Sequence, residues 1–306
     1  MIEIISFSLI FLMIFFASVF LKDYKETIQE GRLENGNFLI LGVLGIIINF
    51  FDALGFGSFA PATAVLKSTK LCEEKSIPGT LNVATTIPVA LEAIILLKII
   101  KIDIPTTLEM VFFCTLGAWL GAKYVSKLPE KKVQECTGAV LLLFAIVMMA
   151  ALFKAIPLGG EAFALKDVQL IIGVAGSFLI GALTVIGIGP YAPFFALIFT
   201  LGMSAKAAFA TMVVCCAFLQ PISSSRFIKE GAHNRRVSLP LNLFGILGVI
   251  AAAYVFKEIP PYMFKWMMAA IVAFSSLMMI KSARLKFGTL PGPLISSITK
   301  DLEMKR

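Results

Sequence analysis

Asp52, Glu92 and two copies of a glycine- and proline-marked string are the groups in this chain best suited to chemistry. The strings are Gly55-Phe-Gly-Ser-Phe-Ala-Pro61 and Gly187-Ile-Gly-Pro-Tyr-Ala-Pro193, each placed where a long apolar run breaks off. Glycine removes the side-chain barrier to positive φ and to close backbone approach, while proline withholds a donor and pushes the residue before it out of the helical region. A helix is expected to break at both. In a bilayer such backbone is tolerated only where it is buried in protein or lines a cavity, so a matched pair of breaks marks the place where a transporter holds its substrate. The chemistry on offer is anion binding, because unpaired N–H groups at the helix start after each break are aimed by the helix dipole at negative charge.

The candidate substrate-binding set is therefore Gly55, Gly57, Ser58, Phe59 and Pro61 in the first copy and Gly187, Gly189, Pro190, Tyr191 and Pro193 in the second. Ser58, Thr63 and Tyr191 add hydroxyl donors, and Asn82, Thr85, Thr86, Thr211 and Gln220 supply uncharged donors on the helices that follow. The competing reading is that the glycines serve tight helix crossing, as small residues do in membranes.

Two acids lie inside apolar sequence. Ionisable groups at membrane depth are costly, so Asp52 and Glu92 are candidates for coupling a proton or cation to transport. Asp52 has no acidic counterpart in the second half, where Leu183 or Thr184 aligns; an interfacial or helix-capping role stands beside coupling. Glu92, near a helix end with Lys98 following, has a paired or snorkelling role as its alternative. Lys206 follows Ser204, a residue type suited to capping a helix start, and marks either an interfacial end or an anion path. The single histidine, His233, falls with Arg235 and Arg236 in a polar loop and is expected to be solvated.

The elements that must position these groups are membrane helices. Of 306 residues 58% are hydrophobic and 15% charged, against about 25% charged in a soluble domain. The formal charge of +8 sits in short segments between apolar runs, as basic anchors of cytoplasmic loops do, and implies no nucleic-acid partner. The five cysteines, Cys72, Cys114, Cys136, Cys215 and Cys216, form no Cys-x-x-Cys pair and read as small packing residues without disulfide or metal. The glycine spacing lacks the third glycine or the Gly-Lys-Ser/Thr of nucleotide sites. No cofactor, no metal and no catalytic set is expected.

Apolar runs long enough to span the hydrocarbon occur at roughly 4–21, 38–57, 80–100, 107–126, 133–153, 168–189, 205–222, 238–256 and 262–281. The first reads as an additional helix, and the other eight divide into two fours. Gly42 matches Gly173, Gly57 matches Gly189, Pro61 matches Pro193, Gly117 matches Gly248 and Pro129 matches Pro260, all 131 or 132 residues apart. This points to an all-α, polytopic membrane fold made of an internal duplication. The expected division is an N-terminal transmembrane helix and linker (1–37), a first repeat (38–153), a linker (154–167), a second repeat (168–282) and a basic tail (283–306). Charge bias places the tail inside. Single crossings would then put Lys123, Lys127, Lys131 and Lys132 outside, against the same bias, unless the broken segments near 55–69 and 187–201 are re-entrant and the repeats inverted.

Two halves, each with a Gly-x-Gly break, a following Thr- and small-residue-rich helix and a Gly-rich helix ending Leu128-Pro129 or Ile259-Pro260, resemble the sulfite exporter TauE/SafE family over about residues 38–282. The resemblance implies a secondary transporter, an exporter, of a small anion such as sulfite, a sulfonate or a related organic anion, in a bacterial inner membrane. The chain departs from the family's Gly-Gly-Gly-type break in having Ser58 and Pro190 after the second glycine. The expected partners are a small anionic substrate, the lipid bilayer and a coupling proton or cation, with a homo-oligomer left open. The alternatives are an anion channel and a membrane enzyme acting on lipid, the latter short of a catalytic set.

Overall fold

The computed structural model describes residues 1–34, 36–69, 71–124, 130–153, 160–184 and 189–285. Its helices are α1 (Ile2–Gln29), α2 (Phe38–Phe51), α3 (Phe59–Ser68), α4 (Ile77–Ile99), α5 (Ile104–Tyr124), α6 (Glu130–Leu152), α7 (Asp167–Thr184), α8 (Tyr191–Thr200), α9 (Ala205–Lys229), α10 (Arg235–Glu258) and α11 (Pro261–Leu285). Among the described residues eight helices are long and apolar enough to cross a membrane, and the apolar stretch of α5 is only slightly shorter. The short helices α3 and α8 are the segments that follow the two breaks. With no strand in the described residues, this is an all-α polytopic membrane protein.

The packing repeats under exchange of the two halves. Helix α2 lies along α10, and α7 lies along α5; α4 packs against α9, and α6 against α11. The close crossings are equivalent as well. A Cβ on Gly248 would run into the carbonyl oxygen of Ile46, and a Cβ on Gly117 into that of Phe178. These are the same contact seen from each half, since small residues let the paired backbones touch where no larger side chain fits.

Loop contacts sort the helix ends into two groups. At one end, Arg236 donates to the Gly36 carbonyl at 2.9 Å, the Asn234 amide to the Leu71 carbonyl at 3.1 Å, and Asn234 N–H to Thr80 Oγ1 at 2.9 Å. The starts of α2, α4 and α10 are thus together, and the chain that enters at α2 has returned to the same end before α4 begins. At the other end, Asp103 N–H bonds the Phe163 carbonyl at 3.2 Å and Ser204 N–H the Ala162 carbonyl at 2.8 Å, which gathers the starts of α5, α7 and α9. Both broken segments are therefore re-entrant hairpins, entering from opposite ends, and the repeats are inverted.

This resolves the charge conflict. The end of α5 and the start of α6 fall at the first end, and with them the backbone positions of Lys123, Lys131 and Lys132; Lys127 lies outside the described residues. Arg226, Lys229, Arg235, Arg236 and the end of α11 share that end, which the excess of basic residues assigns to the cytoplasm. Helix α1 packs against α4 and α9 and is tied there by Arg235, whose guanidinium bonds Asp23 at 2.9 and 3.0 Å. His233 departs from expectation. It is buried beside Phe20, with Nε2 3.4 Å from Asp23 Oδ2. Burial, then the Arg235 charge, pushes its imidazole down to about 4 against the opposing pull of Asp23, so it packs as a neutral ring.

The outer face is apolar, with Phe7, Phe11, Leu39, Phe112, Trp119, Leu143, Ile171, Leu179 and Phe274 exposed, as hydrocarbon contact requires. The inner helices α4 and α9 each carry five buried polar residues. Pro88 lies inside α4, and the Asn242 amide reaches the ladder one residue before it, accepting from Ile87 N–H at 3.1 Å and donating to the Val83 carbonyl at 2.5 Å. Those are the partners of one helical i→i−4 bond, so the side chain satisfies both groups next to the proline, where the ladder loses a donor.

Candidate functional site

At the first break α2 passes into a single π-type turn, Asp52–Phe56, in which Gly55 takes φ 101°. Gly57 follows at φ 74° and ψ 126°, and α3 starts from Ser58. Both glycines hold left-handed backbone that a side chain would strain. Around them the space differs: a Cβ on Gly55 would meet Met268 and Phe209, whereas one on Gly57 would meet nothing within 4 Å. The opening at Gly57 lies beside the first N–H groups of α3, which have no partner within the helix.

At the second break α8 starts from Pro190 with Tyr191 as its first residue. Gly187 lies outside the described residues. A Cβ on Gly189 would approach the Phe59 side chain at 3.4 Å, so the two breaks touch in the interior. The N-termini of α3 and α8, each the positive end of its helix, thus meet at one place. The breaks are not made alike. Pro190, Tyr191 and Pro193 are buried and α8 is covered by α6 and α11; Pro61 is exposed and α3 packs chiefly on α4.

Two acids meet there. Asp52, 2% exposed, accepts a 2.5 Å hydrogen bond from the backbone N–H of Ser58 across the turn. Asp52 stands at the C-terminal, negative end of α2, and its carboxylate turns from that end to the positive end of α3. Tyr191 borders it and donates its hydroxyl to Glu92 Oε2 at 3.3 Å. Glu92 is 3% exposed, and its Oε1 has no hydrogen-bond partner. These pairings are not legible in the sequence, because Ser58 lies six residues from Asp52 and Tyr191 lies 99 from Glu92.

Other expected site residues bond elsewhere. Asn82 accepts from Ser223 at 3.2 Å, Thr86 pairs with Ser224 at 2.8 Å, and Thr85 bonds back to the Leu81 carbonyl at 2.9 Å. They form a polar seam between α4 and α9 on the cytoplasmic side of the breaks. The run Ser223-Ser224-Ser225 inside a membrane helix is its legible signal in the sequence. Gln220 is buried with its Oε1 unpartnered, and Thr211 pairs with Thr107 at 3.4 Å toward the other end. Lys206 lies 5.3 Å over the Phe256 ring, which stacks on Phe209. Ser204 occupies the N-cap position of α9, but its side chain makes no capping bond.

A family model described as "Sulfite exporter TauE/SafE" matches residues 2–148 and 168–300. That span is wider than the resemblance over about 38–282 and takes in α1. No curated protein and no solved structure matches the chain.

Proposed function

We propose, for a chain that belongs to the sulfite exporter TauE/SafE family and is thereby a membrane transporter of sulfite-type anions, that it exports sulfite, a sulfonate or a related small organic anion as a secondary carrier. The observation that carries this reading is the meeting of the two breaks at Phe59 and Gly189, with the positive ends of α3 and α8 converging on one interior point. Backbone donors around Gly57, Ser58, Phe59, Gly189 and Tyr191 hold the anion, and Asp52 with Glu92 couple its movement to a proton or cation. The units that move are the two inverted repeats, 38–153 and 168–282, each carrying one hairpin. The looser packing of α3 on the basic side, against the covered α8, supports loading from the cytoplasm and release on the far side by rocking of one repeat against the other. The membrane is a cell membrane on this reading, the bacterial inner membrane.

The test is ligand-induced stabilisation of the purified protein in detergent. Sulfite and short alkanesulfonates are expected to raise the melting temperature saturably, while acetate and chloride at equal concentration and ionic strength leave it unchanged. Equal shifts with all of these anions, or none with any sulfur oxyanion, would overturn the reading.

A further inference from the structure

The first break is already engaged by a carboxyl group of the protein's own. Ser58 N–H, the donor at the start of α3, points at Asp52 Oδ1 at 2.5 Å, and Gly57 beside it leaves open space that a Cβ would not contact. A second, independent feature marks the same place as a binding site. Glu92, nine-tenths buried and more, keeps Oε1 without a partner next to Tyr191, the first residue of α8. The groups acting on Asp52 from the surrounding elements are Glu92 on α4, Tyr191 on α8 and Cys216 on α9. Helices α10 and α11 also pack on the turn and contribute Met268 against Gly55, with no cation facing Asp52 among the described residues.

We infer that the Asp52 carboxylate is an internal stand-in for the transported anion, and that substrate takes its place on Ser58 N–H only as Asp52 gains a proton. The inference rests on the proposed function and specifies its coupling. One N–H cannot serve two anions, and a substrate anion placed beside an ionised Asp52 and Glu92 would meet like charges in a medium that screens them poorly. Protonation removes both obstacles. It weakens the hold of Asp52 on Ser58 N–H, since a neutral acceptor is the weaker one, and converts a repelling carboxylate into an O–H donor in a cluster where Glu92 Oε1 lacks one. The balance is one anion bound, one proton taken up from solvent onto Asp52, and the Ser58 hydrogen bond transferred from Asp52 to the ligand. Release of the anion returns the proton. Anion and proton therefore travel together, and the coupling ion is a proton.

The experiment uses a short alkanesulfonate, whose own charge is constant between about pH 5 and 9, so that every proton counted belongs to the protein. Binding to the full chain in detergent is titrated across that range, with proton uptake read by a pH indicator in weak buffer. The expected wild-type result is a dissociation constant that rises tenfold per pH unit on the alkaline side, with one proton taken up per anion bound. Asp52→Asn, a neutral isostere, is expected to flatten the dependence, abolish proton uptake and bind at least tenfold more tightly than wild type at pH 9. Glu92→Gln is expected to keep the one-proton uptake. Wild-type binding that is independent of pH, or a dependence that survives Asp52→Asn, or one that vanishes in Glu92→Gln instead, overturns the inference while leaving the functional reading standing. No binding of alkanesulfonate or sulfite at any pH overturns both. The wild-type proton count needs no variant and tests the coupling even if Asp52→Asn fails to fold; loss of the proton uptake in Glu92→Gln then still overturns the assignment to Asp52.

Discussion

Gly57→Val abolishes anion binding in a protein that still folds, lowering affinity at least a hundredfold, or about 2.8 kcal/mol, while Gly189→Ala stays within about threefold of wild type. The difference follows from how each break is built. Gly57 sits at φ 74° with no protein atom within 4 Å of a Cβ. A β-branched residue there strains the backbone by about 1–3 kcal/mol and fills the opening in front of the α3 donors without striking the protein. The fold is left standing and the site is lost. At Gly189 φ is not in the left-handed range, and an added methyl makes an ordinary contact with Phe59. Affinity titrations on monodisperse protein check both. Normal binding by Gly57→Val would show that the breaks are architecture and that the anion lies elsewhere.

Gly117→Val and Gly248→Val are expected to remove folded protein altogether, each costing about 3 kcal/mol or more. Overpacking of a filled interior usually costs 1–3 kcal/mol, and here the obstructing atoms are the backbone carbonyls of Phe178 and Ile46, which cannot rotate aside as a side chain does. Because the two sites are equivalent across the repeats, the losses should match. The check is the monodisperse fraction after purification, followed by thermal melting of whatever remains. Survival of one variant and failure of the other would contradict the equivalence of the α2–α10 and α5–α7 crossings.

Much of this architecture was legible in the chain because glycine and proline act on their own backbone. The first break, the fresh helix start at Pro190 and the apolar runs survive as structure in the described residues, as does the pairing of Gly117 with Gly248 as crossing points, while Pro129 and Gly187 lie outside them. What counting runs could not decide was parity. A run of the length of 38–57 crosses a bilayer or turns back within it with the same composition, and the bonds from Arg236 to Gly36 and from Asn234 to Leu71, 200 and 163 residues away in sequence, show the return. The candidate site was legible as residue types and not as pairings. Asp52, Glu92, Ser58 and Tyr191 each stood out, but that one tyrosine borders both acids depends on the two hairpins crossing. His233 differs from expectation for the same reason. The polar loop and the two arginines that follow it suggest solvation, while in space it is buried against Phe20 and beside Asp23 of α1, 210 residues away in sequence.

The most direct test of a carrier that binds its anion between two inverted hairpins is counterflow in sealed proteoliposomes. Vesicles loaded with unlabelled sulfite at high concentration are diluted into labelled sulfite at low concentration. The account predicts transient accumulation of label above its external concentration, saturable in external sulfite and absent from empty vesicles, since only an alternating site exchanges one anion for another. Label that merely equilibrates at a rate linear in concentration, without overshoot, would mean an open pore and contradict the account.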